Sequence, residues 1–200
     1  EGGPGWWGRK VAALPAEGVA LVATDLQGNL ADFRALLQLH RRELDAGRRA
    51  WLVLCGDLVH GPPPDLTQER WPDHLGSYYA DESATLLLEA MEYARDHDVI
   101  YLLGNHEHAH VGGPVVAKFF PDEARRLEEL LGPAQTRAMK TWMRTWPFVA
   151  VAPKAGLVML HAAPHAAIER AEDLDKLPLD GFLDLTLADS AARATLAALL

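Results

Sequence analysis

The chain has 200 residues, with 19 Lys and Arg against 28 Asp and Glu for a net charge of −9, hydrophobic residues at 49% and charged residues at 24%. That composition excludes a disordered or fibrous chain and suits one globular domain, two at most. An acidic chain without a basic stripe argues against nucleic acid as a partner, and no stretch approaches the roughly 18 apolar residues that suggest a membrane span. The single cysteine, Cys55, excludes a disulfide framework. With no leader-like segment at the start, the cytoplasm is the expected compartment. The chain begins on Glu and stops inside an Ala/Leu-rich helical pattern at 190–200. The expectation is a fragment trimmed at both ends.

Residues 1–17 read as an N-terminal extension and 18–200 as one domain. Gly18–Thr24 is a short apolar run bounded by Gly and an Asp-rich turn, which predicts a buried strand. Leu30, Phe33, Leu37, His40 and Leu44 recur at helical spacing, giving a helix that ends near Gly47. The pattern repeats with a strand at Ala50–Cys55, a helix through Ala84, Leu87, Leu88, Met91 and Ala94, and a third strand at Val99–Leu103. Alternation of this kind predicts βαβ units, hence an α/β fold with a parallel sheet. Residues 61–79, rich in Pro, Gly and Asp, are too long for an ordinary βα loop and read as an insertion beside a functional edge. Pro121–Leu131 and Pro133–Trp146 predict two helices, each with Pro at a permitted early position. Pro147–Ala152 and Leu157–Leu160 then predict an antiparallel hairpin in a second sheet.

Each predicted strand runs at its carboxyl end into a polar cluster. These are Thr24–Asn29, Gly56–Gly61, Gly104–His108 and His161–His165. Ligands of open α/β sheets bind at those ends, so the four clusters are expected to converge. Asp25, Asp57, Asn105 and His161 are oxygen and imidazole donors suited to Mn, Fe or Zn in an N/O site. Two such ions sharing a carboxylate make phosphoester hydrolysis the natural reaction.

With those clusters in this order, the sequence resembles the calcineurin-like metallophosphoesterases, and within them the serine/threonine phosphoprotein phosphatase branch and its bacterial relatives. Asp25-x-x-Gly28-Asn29 is similar to the family's D-x-H-G-N, Gly56–Asp57 to its G-D, Gly104–Glu107 to its G-N-H-E and His161–Ala163 to its H-G-G. The resemblance implies a four-layer α/β/β/α sandwich, here expected to be truncated in its second sheet. It implies two divalent ions, manganese first with iron or zinc as alternatives, and a metal-bridging hydroxide as nucleophile. Asp25 and Gln27 would then hold the first ion, Asp57 both, and Asn105 and His161 the second. His106 would be the general acid, and Glu107 would orient its neighbours without touching metal. The implied partner is a phosphorylated protein or small metabolite. A dinucleoside polyphosphate is the alternative substrate, and a catalytically impaired binding module the alternative function.

Three departures bear on that reading. Gln27 stands where the family has a metal-binding His, and His60–Gly61 replaces the Asp-Arg pair of G-D-x-V-D-R-G. Asp81 is the candidate to return a carboxylate beside His106. The family's last metal-binding His has no obvious counterpart before Leu200, with His165 as a candidate substitute. His108 and His110 read as rim residues more than as ligands, Cys55 as a small buried strand residue, and Trp142 and Trp146 as packing. The pairs Arg41–Arg42, Arg48–Arg49 and Arg125–Arg126 read as solvated helix faces.

Overall fold

The computed structural model describes residues 10–163 together with 166, 168–169, 173–174, 194 and 197–200. Two three-stranded sheets carry the fold. In the first, β2 (Val19–Ala23), β3 (Ala50–Leu54) and β4 (Val99–Tyr101) run parallel in the order β2-β3-β4. In the second, β1 (Val11–Ala13) runs parallel to β5 (Val149–Ala152), and β5 pairs antiparallel with β6 (Leu157–Leu160). The hairpin forms as its sequence predicts. The strand at Val11–Ala13 falls in the expected N-terminal extension; three residues are too few for a period-2 pattern to register.

Alternation along the central strands fixes which way each face looks. Leu52 and Leu54 of β3, with Val99 and Tyr101 of β4, share one apolar cluster with helices α1 (Leu30–Asp45) and α2 (Ser83–Tyr93). Trp51, Val53 and Ile100 point the other way and pack with Ala12, Ala150 and Met159 of the second sheet. The sheets therefore meet face to face, and β3 is buried at every position because it is covered on both sides.

Helix α1 starts where Asn29 Oδ1 accepts the amide hydrogen of Asp32 at 3.1 Å, and it buries the stripe Leu30, Phe33, Leu37 and His40. His40 fits inside because both ring nitrogens are bonded, to Tyr93 Oη at 2.9 Å and to the Ala50 carbonyl at 3.1 Å. Helix α3 (Asn105–Val111) follows β4 directly. Its polar sequence shows no apolar period, so a helix is not expected there from the sequence, only a strand-end cluster. Helix α4 (Glu123–Met143) breaks at Gly132, with φ 75° and ψ 170°, just before Pro133. The two helices expected from the two prolines are its two halves. Trp142 and Trp146 meet edge-on at 4.8 Å between ring centres and pack on Tyr101, as interior residues do.

Candidate functional site

The first two strand-end loops lie side by side because their backbones are bonded to one another, and the third is tied to the second through the Glu107 carboxylate. Asp25 N donates to Gly56 O at 3.2 Å, Gln27 N to Asp57 O at 2.9 Å and Gly28 N to Leu58 O at 2.8 Å. To make these bonds, four non-glycine residues adopt left-handed backbone, with φ of 53° at Asp25, 44° at Gln27, 54° at Asp57 and 69° at His60. Each costs on the order of 1 kcal/mol relative to a relaxed conformation. At Gly104 a Cβ atom would stand 2.6 Å from Asp57 Oδ1 and 2.8 Å from Glu107 Oε2, so only glycine lets the end of β4 approach that carboxylate.

Glu107, 0% exposed, braces the site from behind. Its Oε2 accepts from Asp57 N at 2.9 Å and Gly104 N at 3.2 Å, and its Oε1 from Leu58 N at 2.8 Å. Burial, then the nearby Asp57 carboxylate, raise its pKa, against the opposing pull of the backbone donors. Glu107→Gln keeps the shape but turns one oxygen into an NH2 group that faces backbone N–H donors. Unmet donors of this kind cost about 3 kcal/mol in all. A drop in the free energy of unfolding of that size is expected in urea titrations, and an unchanged value would contradict the bracing role.

On the open side, Asp57 Oδ1 stands 3.3 Å from His161 Nε2, which is 3.0 Å from Asn105 Oδ1. His161 Nδ1 lies 2.8 Å from the Cys55 carbonyl, an acceptor, so Nδ1 carries a hydrogen, and in the neutral form of the ring Nε2 presents a lone pair. Three electron-pair donors thus converge with no hydrogen between them, an arrangement that a cation stabilises. The donor set fits a divalent ion there. Among the described residues no group of three His, Cys, Asp or Glu side chains stands in metal-holding geometry, and this trio relies on the amide of Asn105.

The remaining candidates lie further out. Asp25 is exposed and lines the cleft beside the site, with its N–H bonded to Gly56 O, the residue before Asp57. Gln27 Oε1 accepts from Lys118 Nζ at 2.6 Å, so an ammonium group engages the oxygen expected to face metal. Asp81 does not take the place expected of it. Its Oδ1 accepts from Gly61 N at 3.3 Å and Ser83 N at 3.0 Å, and it also receives the Ser83 hydroxyl, which secures the start of α2 and the turn after His60. The side chain bonded to His106 is His60, with 2.8 Å between the two Nδ1 atoms. Asn29 serves as the cap of α1. His165 lies outside the described residues.

His106, 4% exposed, holds its Nε2 3.6 Å from Asp57 Oδ2. Burial lowers its pKa, although Asp57 pulls the other way. Beneath it, His60 Nε2 meets His110 Nε2 at 3.0 Å, and His110 Nδ1 meets Glu128 Oε1 at 2.8 Å. His110, expected at the rim, is buried in this row at 4% exposed; His108 is also buried, at 2%, and nothing in the sequence singles out Glu128. The i,i+4 spacing of His106 and His110 would have pointed to a shared helix face, had residues 105–111 been read as a helix.

Burial, with His110 and His106 adding to it, pushes the His60 pKa down to about 2. The unfolded chain takes up this proton near the ordinary histidine value and the folded chain does not, so stability is complete above that value and drains away as pH falls below it. Between pH 7.5 and 5 the expected loss is about 2 kcal/mol from this residue. Urea unfolding at the two pH values measures it; equal stability at both would rule out a neutral buried His60.

A family model for calcineurin-like phosphoesterases matches residues 19–196. The chain belongs to that family. No curated protein matches it significantly. The two small sheets with flanking helices are the family's mixed α/β fold, and the family's chemistry is metal-dependent phosphoester hydrolysis. In this calcineurin-like chain a cleft of about 590 Å³ opens beside the site, lined by Asp25, Gln27, Asn29, Asp32, Tyr78 and Tyr79 among others. Cys55 is buried, which lifts its thiol to about 11 and leaves no thiolate for chemistry. Arg125 pairs with Glu129 on the surface, and Arg126 lies over the Phe120 ring. No helix among the described residues is long and apolar enough to cross a membrane.

Proposed function

We propose that the chain is a metal-dependent phosphomonoesterase of the serine/threonine phosphatase type and its bacterial relatives, acting on a phosphoprotein or a small phosphorylated metabolite. One observation carries this reading: the buried Asp57 carboxylate faces two different groups. Its Oδ1 meets the donor pair Asn105–His161, and its Oδ2 faces His106. Asp57, Asn105 and His161 would hold one divalent ion, and Asp25, Gln27 and Asp57 a second, with manganese first and iron or zinc as alternatives. Bound ions supply Lewis acidity, which neutralises charge on the phosphoryl oxygens and makes water acidic at neutral pH.

The chain's own residues do the rest. Glu107 fixes the Asp57 backbone, so the carboxylate does not have to reorganise as charge develops. His106 Nε2, on the open side of Asp57, is the nitrogen through which a proton taken up from water would pass to the leaving alkoxide. Gln27 brings no charge to its ion, so that ion is expected to exchange more readily than the one held by Asn105 and His161.

The cleft walled by Tyr78 and Tyr79 favours a second substrate reading, a dinucleoside polyphosphate whose base lies against a ring. Rates with manganese on phenyl phosphate, a phosphopeptide and diadenosine tetraphosphate separate these. Turnover of a monoester that stops on chelation supports the proposal. A higher kcat/KM for the tetraphosphate moves it to phosphoanhydrides. Calorimetric metal binding without turnover of any of the three replaces it with a binding module, a role that the Gln27–Lys118 contact would suit.

A further inference from the structure

We propose that His60, His110 and Glu128 form a positioning row that fixes which nitrogen of His106 carries its hydrogen and turns the other toward the substrate. This rests on the reading of His106 as the residue that protonates the leaving group. The three histidines are 3%, 4% and 4% exposed at positions 60, 106 and 110, and they stand in line between two carboxylates, Asp57 and Glu128.

Hydrogen bookkeeping decides the arrangement. The row has four contacts: Asp57 to His106, His106 to His60, His60 to His110 and His110 to Glu128. With all three rings in the neutral form each brings one N–H, and carboxylates only accept. One contact therefore goes without a hydrogen. The distances select it, because the three lower contacts measure 2.8, 3.0 and 2.8 Å while His106 Nε2 stands 3.6 Å from Asp57 Oδ2.

The row is set from its far end. Lys140 Nζ lies 2.8 Å from Glu128 Oε1. Burial raises the Glu128 pKa, but the hydrogen bonds from His110 and Lys140 outweigh it and keep the carboxylate ionised. Glu128 then accepts from His110 Nδ1–H, which leaves His110 Nε2 to accept from His60 Nε2–H, and His60 Nδ1 to accept from His106 Nδ1–H. Each assignment forces the next. The last one leaves Nε2 of His106 bare and aimed at the open side of Asp57. There it takes up from water the proton that passes to the leaving group while Nδ1–H stays bonded to His60, and the ring cannot turn without breaking that bond.

Two-bond 1H–15N spectra of the labelled full chain, recorded above neutral pH and without substrate, report the tautomer of each ring. The expected pattern is Nδ1–H at His106, Nε2–H at His60 and Nδ1–H at His110. His60→Phe, which keeps volume and removes the acceptor, is expected to move His106 to Nε2–H. It should lower kcat about ten- to hundredfold with KM nearly unchanged, the usual scale for losing an orienting partner. His60→Asp restores an acceptor and is expected to recover most of kcat. Glu128→Gln, at the less buried end, lets an amide N–H donate to His110 and is expected to mix the tautomers even if His60→Phe fails to fold. An Nε2–H pattern at His106 in the wild type overturns the proposal. So does an unaltered pattern in Glu128→Gln, or a kcat that His60→Phe leaves unchanged. The spectra need no turnover, so a wild type without phosphatase activity would sink the functional reading and leave this one to be judged separately.

Discussion

Asp57→Asn is expected to lower kcat/KM for manganese-dependent hydrolysis of p-nitrophenyl phosphate by on the order of a thousandfold, about 4 kcal/mol of transition-state stabilisation. The fold should survive. Asn is among the few residues that accept the left-handed backbone found at position 57, and the bonds from its N–H to Glu107 and from Gln27 to its carbonyl are main-chain bonds on the Asp57 side. What disappears is the charge that faces His161, Asn105 and His106 together. An amide in its place brings a neutral oxygen and an NH2 group, so metal affinity should fall along with turnover, and calorimetric titration with manganese reads the two separately. A variant that keeps more than a tenth of wild-type activity would remove Asp57 from the centre of the site.

His106→Asn should show an effect that depends on the leaving group. An alkyl phosphate departs as a strongly basic alkoxide and needs the proton from Nε2, so a loss of about a hundred- to ten-thousandfold is expected. p-Nitrophenolate departs readily without help, and its rate should fall far less. Plotting log kcat against leaving-group basicity for wild type and variant tests this directly. A uniform loss across the series would assign His106 to binding phosphate rather than to proton delivery.

Long apolar periods and strand-end punctuation made much of this molecule legible. Leu30–Leu44 predicts α1, and the run before Gly56–Asp57 predicts β3, because both pack against a continuous core and so carry its period. The four clusters also announce themselves, since Asp, Asn and His after an apolar strand serve no packing purpose. What stayed hidden depends on contacts distant in sequence. The short strand Val11–Ala13 is defined by pairing with β5, 138 residues further on at Val11–Val149, and not by its own three residues. Helix α3 starts where Glu107 accepts from the N–H of its cap, Gly104, while also accepting from Asp57 and Leu58 of the second loop, an arrangement that spacing alone does not show. His60 looked like a lost carboxylate, and Asp81 looked like its replacement. Only the fold reveals that His60 itself bonds to His106, with Asp81 tied to Gly61 and Ser83.

The left-handed backbone at Asp25, Gln27, Asp57 and His60 has a consequence for anyone selecting hardier versions of this protein. Glycine relieves that conformation at all four positions, so a library screened for heat resistance alone would drift toward glycine there. Every such step would delete one of the side chains on which the chemistry depends. Heat-resistant lineages should therefore be sought in α1 and α4, where gains in helix stability leave these four turns alone.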